Sequence, residues 1–97
     1  MKIHAVTIHR PMDGQEVVSI HMTRKGALQS ACEQTIETLN QYDSWDDSDT
    51  IWIQDNNLNY KDSNLTIKDL EGIFKYATQL LWQVECEVDI WEYTLQP

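Results

Sequence analysis

The residues that could do chemistry concentrate in one acidic stretch, QYDSWDDSDTIWIQDN, which spans 41–56. This stretch contains five aspartates and two tryptophans, and it has no lysine or arginine. Carboxylates at this density can bind a divalent cation, keep a small domain in solution, or face a cationic partner. Of these three roles, only metal binding requires a defined spacing of ligands.

The nearest match to a calcium-binding loop is the segment DNNLNYKDSNLT, residues 55–66. Its first, third and fifth positions are Asp or Asn, as such a loop requires. The sixth position is Tyr60 where glycine is needed, and the twelfth is Thr66 where a bidentate glutamate belongs. The pattern therefore excludes an EF-hand, and a looser site among the aspartates at 43, 46, 47 and 49 is the remaining metal alternative.

Histidine pairing offers a second route to a metal. A hairpin centred on Met12–Asp13 sets His4 opposite His21 and His9 opposite Glu16, with paired side chains close enough to interact. Two imidazoles across a strand pair can begin a zinc site, but a third ligand must come from elsewhere in the fold. We expect sheet histidines with ordinary hydrogen bonds and no bound metal.

The cysteines and glycines give little support to catalysis. Cys32 lies on the apolar stripe of a predicted helix and Cys86 on the apolar face of a predicted strand, so both should be buried, reduced and unreactive. The three glycines form no phosphate-binding loop. Acid–base catalysis needs two carboxyl groups with different surroundings in one pocket, whereas these acids fall in a loop and along a strand. We expect no enzyme and no cofactor.

Periodicity assigns the elements that position these residues. The segments 2–9 and 15–22 are rich in β-branched residues and flank a turn, which predicts a β-hairpin. Apolar residues at helical spacing predict a helix over 24–40, capped by Thr23. A second helix is predicted over 67–83.

The second helix begins at a predicted capping box, in which Thr66 is the cap and Asp69 the third helical residue. Short strands are predicted at 50–54 and 58–60, between the two helices. These assignments give one domain, 1–97, of the α+β class. The order β-β-α-β-(β)-α-β suggests an antiparallel or mixed sheet with two helices on one face.

The tail alternates apolar and acidic side chains, with Glu85, Glu87 and Asp89 on the face opposite the apolar set. At Trp91 the phase of the apolar residues changes. A β-bulge near Ile90–Trp91 would turn Trp91 and the apolar residues after it back toward the core.

The negative charge is confined to the later part of the chain. Residues 1–40 hold four cations and four acids, whereas residues 41–97 hold three lysines and twelve acids, which accounts for the net charge of −9. This charge disfavours direct contact with nucleic acid or an anionic membrane. No segment has the apolar length of a membrane span or a secretory signal, so we expect a cytoplasmic protein, in the host cell if a phage encodes it.

Like charges gathered in one region repel each other, and a cationic partner would relieve that repulsion. The carboxylates of the last strand repeat every ~6.8 Å, close to the spacing of alternate DNA phosphates. Trp45 sits among the acids with no apolar periodicity around it, as expected for an interface anchor. The predicted partner-binding residues are Asp43, Trp45, Asp46, Asp47, Asp49, Asp55, Asp62, Glu85, Glu87, Asp89 and Glu92.

The acidic run DSWDDSD, the row ECEVD and the compact α/β plan resemble the small acidic proteins of phages and mobile elements. That group includes DNA-mimic inhibitors of restriction and anti-CRISPR proteins. The resemblance implies a non-enzymatic inhibitor that occupies the basic groove of a nucleic-acid-binding protein such as a nuclease or CRISPR complex. The neutral first part of the chain departs from mimics that are acidic throughout.

We therefore expect an interaction protein whose acidic surface docks a basic one by imitating nucleic acid. The first alternative is an immunity or antitoxin protein that neutralises a nuclease toxin by similar electrostatics. A small metal-binding module and a homo-oligomeric structural protein, such as a homodimer, are the others.

Overall fold

The computed structural model describes residues 1–42 and 65–95. The strands predicted at 50–54 and 58–60 lie outside the described residues. Within them the chain forms three strands and two helices, and the predicted α+β class is confirmed.

The strands make one antiparallel sheet in the spatial order β2-β1-β3. Their bounds are Lys2–Arg10 for β1, Gly14–His21 for β2 and Glu87–Thr94 for β3. β1 is central and its middle residues are buried on both faces. Gly14 has a φ of 73°, a conformation that favours glycine, and it closes the turn between β1 and β2.

The hairpin register confirms one predicted histidine pair and corrects the other. His4 lies opposite His21, as the sequence predicts, whereas His9 lies opposite Gln15 and not Glu16. The turn is one residue tighter than predicted, because Arg10 pairs with Gly14.

A bulge in β2 compensates for the tighter turn. Val6 pairs with Ser19 and Thr7 pairs with Val17, so that Val18 is the extra residue of the strand. Val18 packs against the core, while Val17 points to the opposite face and is 58% exposed.

The β-bulge predicted near Ile90–Trp91 is absent. β3 pairs with β1 in one unbroken register from Lys2–Thr94 to His9–Glu87. Because side chains alternate strictly along a regular strand, Trp91 stays on the same face as Glu87. The prediction was wrong because it assumed that every apolar side chain of this strand faces the core.

The helices begin at the caps that the sequence predicts. α1 spans Arg24–Gln41, and the Thr23 hydroxyl accepts a hydrogen bond from the Gly26 amide at 3.0 Å. α2 spans Ile67–Leu81 and is followed by a 3-10 turn, Trp82–Val84. Both hydrogen bonds of the Thr66–Asp69 capping box are present, each 3.2 Å long.

The two helices pack on one face of the sheet, as predicted. The core between the layers contains Val6, Ile8, Leu28, Cys32, Leu39, Leu70, Ile73, Leu81, Cys86 and Val88. Cys32 donates its thiol hydrogen to the Leu70 carbonyl across 3.5 Å, and burial raises the pKa of this thiol to about 12. The prediction of two buried, free thiols is confirmed.

The other face of the sheet, here called the open face, carries no helix among the described residues. It is formed by Ile3, Ala5, Thr7, His9, Gln15, Val17, Ile20, Glu87, Asp89, Trp91 and Tyr93. Several of its apolar side chains remain exposed, with Ile20 at 62%, Tyr93 at 51% and Trp91 at 45%. A sheet face of this composition is where a binding surface is expected.

Candidate functional site

Most of the predicted partner-binding residues lie outside the part of the chain that the structure describes. These are Asp43, Trp45, Asp46, Asp47, Asp49, Asp55 and Asp62. The structure therefore places four members of the predicted set: Glu85, Glu87, Asp89 and Glu92.

Glu92 does not join the other acids. It pairs with His4 across the sheet and so lies on the helix-covered side, where its carboxylate contacts the Lys2 ammonium at 3.1 Å. The hydrogen bond and the charge of Lys2 lower the pKa of Glu92. Strand alternation thus separates Glu92 from Glu87 by placing the two side chains on opposite faces.

The other three acids form what we call the carboxylate strip: Glu85, Glu87 and Asp89. Two shallow depressions adjoin along it and share His9 and Glu87 in their linings. Trp82 lines the first depression and Trp91 lines the second, so that a tryptophan stands at each end of the strip.

No described cation forms an ion pair with the carboxylate strip. Ion pairs between described residues join Lys2 to Glu92, Arg10 to Glu16 and Arg24 to Glu71, and none of these includes an acid of the strip. The three carboxyl groups of the strip are therefore not neutralised by an ion pair within the described residues, although His9 lines both depressions, and they can interact with an external cation.

Glu85 occupies a backbone position that favours glycine. It has a φ of 59° and ends the 3-10 turn in the left-handed region. A residue with a Cβ at such a position destabilises the fold relative to glycine. The glutamate is thus present at a cost in stability.

We predict that Glu85→Gly raises the free energy of unfolding by roughly 0.5–1 kcal/mol, because it removes this backbone strain. Urea denaturation followed by circular dichroism measures the change. Gln83→Gly is the control, since Gln83 lies inside the right-handed 3-10 turn and glycine should destabilise it there. A loss of stability in Glu85→Gly would show that the left-handed conformation carries no strain.

The surroundings of Asp89 disfavour its charged form. Partial burial on the sheet raises its pKa above the ordinary 3.8, and the neighbouring Glu87 raises it further through its charge and a hydrogen bond. The folded state therefore disfavours the charged form of Asp89. Protonated Asp89 therefore stabilises the folded protein at pH values below the ordinary pKa of 3.8. This stabilisation is lost as the pH rises through the higher pKa that Asp89 has in the folded state.

We predict that Asp89→Asn stabilises the protein at pH 7, by up to about 0.5 kcal/mol, and has no such effect near pH 3. The reason is that asparagine resembles the neutral acid at every pH. Urea denaturation at the two pH values measures the difference. An equal effect at both would mean that the ionisation of Asp89 has no part in it.

The tryptophans of the site differ from the one that sequence reasoning chose. Trp82 is 72% exposed and Trp91 is 45% exposed, although Trp91 falls in a strand pattern typical of a structural residue. The change of apolar phase at Trp91 was the available signal. An apolar residue placed on the acidic side of a strand indicates a face that is both acidic and aromatic.

Hydrogen bonds fix the Trp91 side chain on the open face. Its indole N–H donates to the Thr7 hydroxyl at 2.9 Å, and the Gln15 amide donates to the same oxygen at 3.2 Å. Thr7 itself is buried. The ring is therefore held in a defined orientation beside the strip.

Glu87 and Asp89 lie in one depression that is open and shallow, without the enclosure that excludes water. Among residues 1–42 and 65–95 no three side chains of the metal-binding types come together. No helix in the same residues has the length and apolarity to cross a membrane.

Comparison with known proteins gives no relative from which a role could be transferred. No protein-family model matches the chain, and neither a curated protein nor a solved structure matches it.

Proposed function

We propose that this protein is a non-catalytic interaction protein that docks a basic surface of another protein through the carboxylate strip. The observation that carries the proposal is the strip itself: three carboxyl groups that form no ion pair within the described residues, bounded by Trp82 and Trp91. Carboxylates steer a cationic partner and an exposed tryptophan supplies apolar contact, which together are typical of a protein interface.

The electrostatics support this role in a second way. The pKa of Asp89 is raised by burial and by Glu87, so an approaching cation would stabilise the charged form that the free protein disfavours. Binding of a cationic partner would therefore relieve the repulsion between Glu87 and Asp89 that is present in the unbound protein.

The partner class we propose is a basic nucleic-acid-binding protein, such as a nuclease or a CRISPR complex, with the acidic protein acting as its inhibitor. A surface that binds polyphosphate must be cationic, and it would attract a chain of net charge −9. Inhibition would follow from occupation of the groove that nucleic acid otherwise fills.

The proposal is tested by measuring the affinity of the protein for a panel of purified nucleases and CRISPR effector complexes at increasing salt. We expect binding to at least one member, weakened tenfold or more between about 0.05 and 0.5 M NaCl, because screening shortens the reach of the carboxylates. Competition with the member's own nucleic acid is expected as well. Failure to bind any member, or an affinity indifferent to salt, would overturn the proposal.

A further inference from the structure

The open face is divided into an acidic end and an apolar end. The depression at the acidic end is lined by His9, Gln15, Glu87, Asp89 and Trp91. The next depression is lined by Thr7, Gln15, Val17, Trp91 and Tyr93, and it has a volume of about 320 Å³. Because the two share Gln15 and Trp91 in their linings, they adjoin on the open face, and we call the pair the groove.

The two ends of this groove require different chemistry from an occupant. The acidic end has paired carboxyl groups beside the ring of Trp91. The other end contains no charged side chain, and it combines the exposed apolar side chains of Val17 and Tyr93 with the polar side chains of Thr7 and Gln15. A uniformly basic surface would satisfy only the first end. It would leave the apolar end either in water or against an unsolvated charge.

We propose that the occupant of the groove is an extended, arginine-bearing segment of the partner protein, with a bulky apolar side chain a few residues from the arginine. This inference rests on the proposed function and names the part of the partner that enters the site. The carboxylates of the groove favour a cationic side chain, and the apolar residues at its other end favour a bulky apolar side chain beside that cation.

Arginine fits the acidic end better than lysine does. Its planar guanidinium can donate to two carboxylate oxygens at once and can stack on an aromatic ring, and Asp89 and Trp91 line the same depression. The hydrogen bond from Trp91 to Thr7 holds the ring in place before the occupant arrives. Less conformational freedom is then lost on binding.

The spacing of the two ends fits an extended chain. Side chains on one face of a strand repeat every ~6.8 Å, so Asp89, Trp91 and Tyr93 form a row that spans about 14 Å. An extended segment lying along this row presents its own side chains at the same interval. An arginine at Asp89 and an apolar residue two to four positions away would reach both depressions together.

The test uses fluorescein-labelled decapeptides and fluorescence anisotropy. The first peptide carries two arginines followed, two positions later, by leucine and phenylalanine. In the second peptide lysines replace the arginines, and in the third glycines replace the apolar pair. We expect each replacement to weaken binding at least fivefold, although the net charge is the same in all three peptides.

Two variants of the protein assign the effects to the two ends. Asp89→Asn should reduce the preference for arginine over lysine, and Val17→Thr should reduce the benefit of the apolar pair while leaving the arginine preference intact. Ile67→Thr, which changes an exposed apolar residue at the start of α2, is the matched control and should change neither.

The possible outcomes separate this inference from the proposed function. Equal affinity for the three peptides, or no binding of any, would overturn the inference, and the proposed function would stand if intact basic proteins still bind. A symmetric dimer in light scattering, abolished by Val17→Thr, would also overturn it, because a second copy would then occupy the face.

Discussion

Leu70→Ala should lower the free energy of unfolding by about 2–5 kcal/mol. Leu70 is fully buried in α2, and its carbonyl accepts the hydrogen bond from the Cys32 thiol of α1. Removing its side chain leaves a cavity where the helices meet the sheet. Since small domains have only about 5–15 kcal/mol of stability, the loss is a large fraction of the total.

Urea denaturation and thermal melting measure this effect, and we expect the melting temperature to fall by roughly 10–20 °C. Lys68→Ala is the control, because Lys68 is exposed on the same helix and its replacement should cost less than about 0.5 kcal/mol. If Leu70→Ala does not fold at all, Ile73→Val should give a graded loss of about 0.5–1.5 kcal/mol. A core that tolerates both substitutions without loss would contradict the described packing.

The double substitution Glu85→Gln/Glu87→Gln should weaken binding to the basic partner at least tenfold, which corresponds to about 1.4 kcal/mol. Both side chains are exposed and make no described ion pair, so the fold should remain intact. The salt dependence of binding should become shallower at the same time, because two of the charges that respond to screening are gone.

The chain offers a matched control for this experiment. Glu33→Gln/Glu37→Gln makes the same change of charge on the exposed side of α1, away from the open face. We expect it to leave the affinity within about twofold of the wild type. Equal losses in the two double variants would mean that the partner responds to total charge and not to the carboxylate strip.

The first residues of both helices could be predicted from the sequence because their signals are local, whereas the second helix, predicted over 67–83, ends at Leu81. Thr23 and Thr66 cap the helices by contacts within three residues, and the structure contains both caps. The turn at Gly14 likewise depends on neighbouring residues.

The predicted pairing of His4 with His21 is confirmed, although the turn length from which it was predicted was wrong. The turn is one residue tighter than expected, and the extra residue at Val18 restores the pairing farther along the strand. The sequence pattern indicated a turn near Gly14, but it fixed neither the length of the turn nor the position of the bulge. Near the turn, where nothing compensates, the predicted partner of His9 was wrong.

The site could be predicted only in part. The alternation of the tail correctly grouped Glu87 with Asp89, but it did not separate Glu92, whose face is set by pairing with β1. The exposed position of Trp91 was missed because apolar residues were assigned to the core. The face of the sheet that the helices cover depends on the assembled fold, so local sequence patterns do not predict it.

Carboxyl footprinting tests the central claim most directly. A carbodiimide and glycine ethyl ester label exposed carboxyl groups, and mass spectrometry compares the free protein with its complex with a panel member that binds. We predict that labelling falls several-fold at Glu85, Glu87 and Asp89 and stays unchanged at Glu33 and Glu37. Unchanged labelling of the carboxylate strip in a saturated complex would show that the partner binds elsewhere.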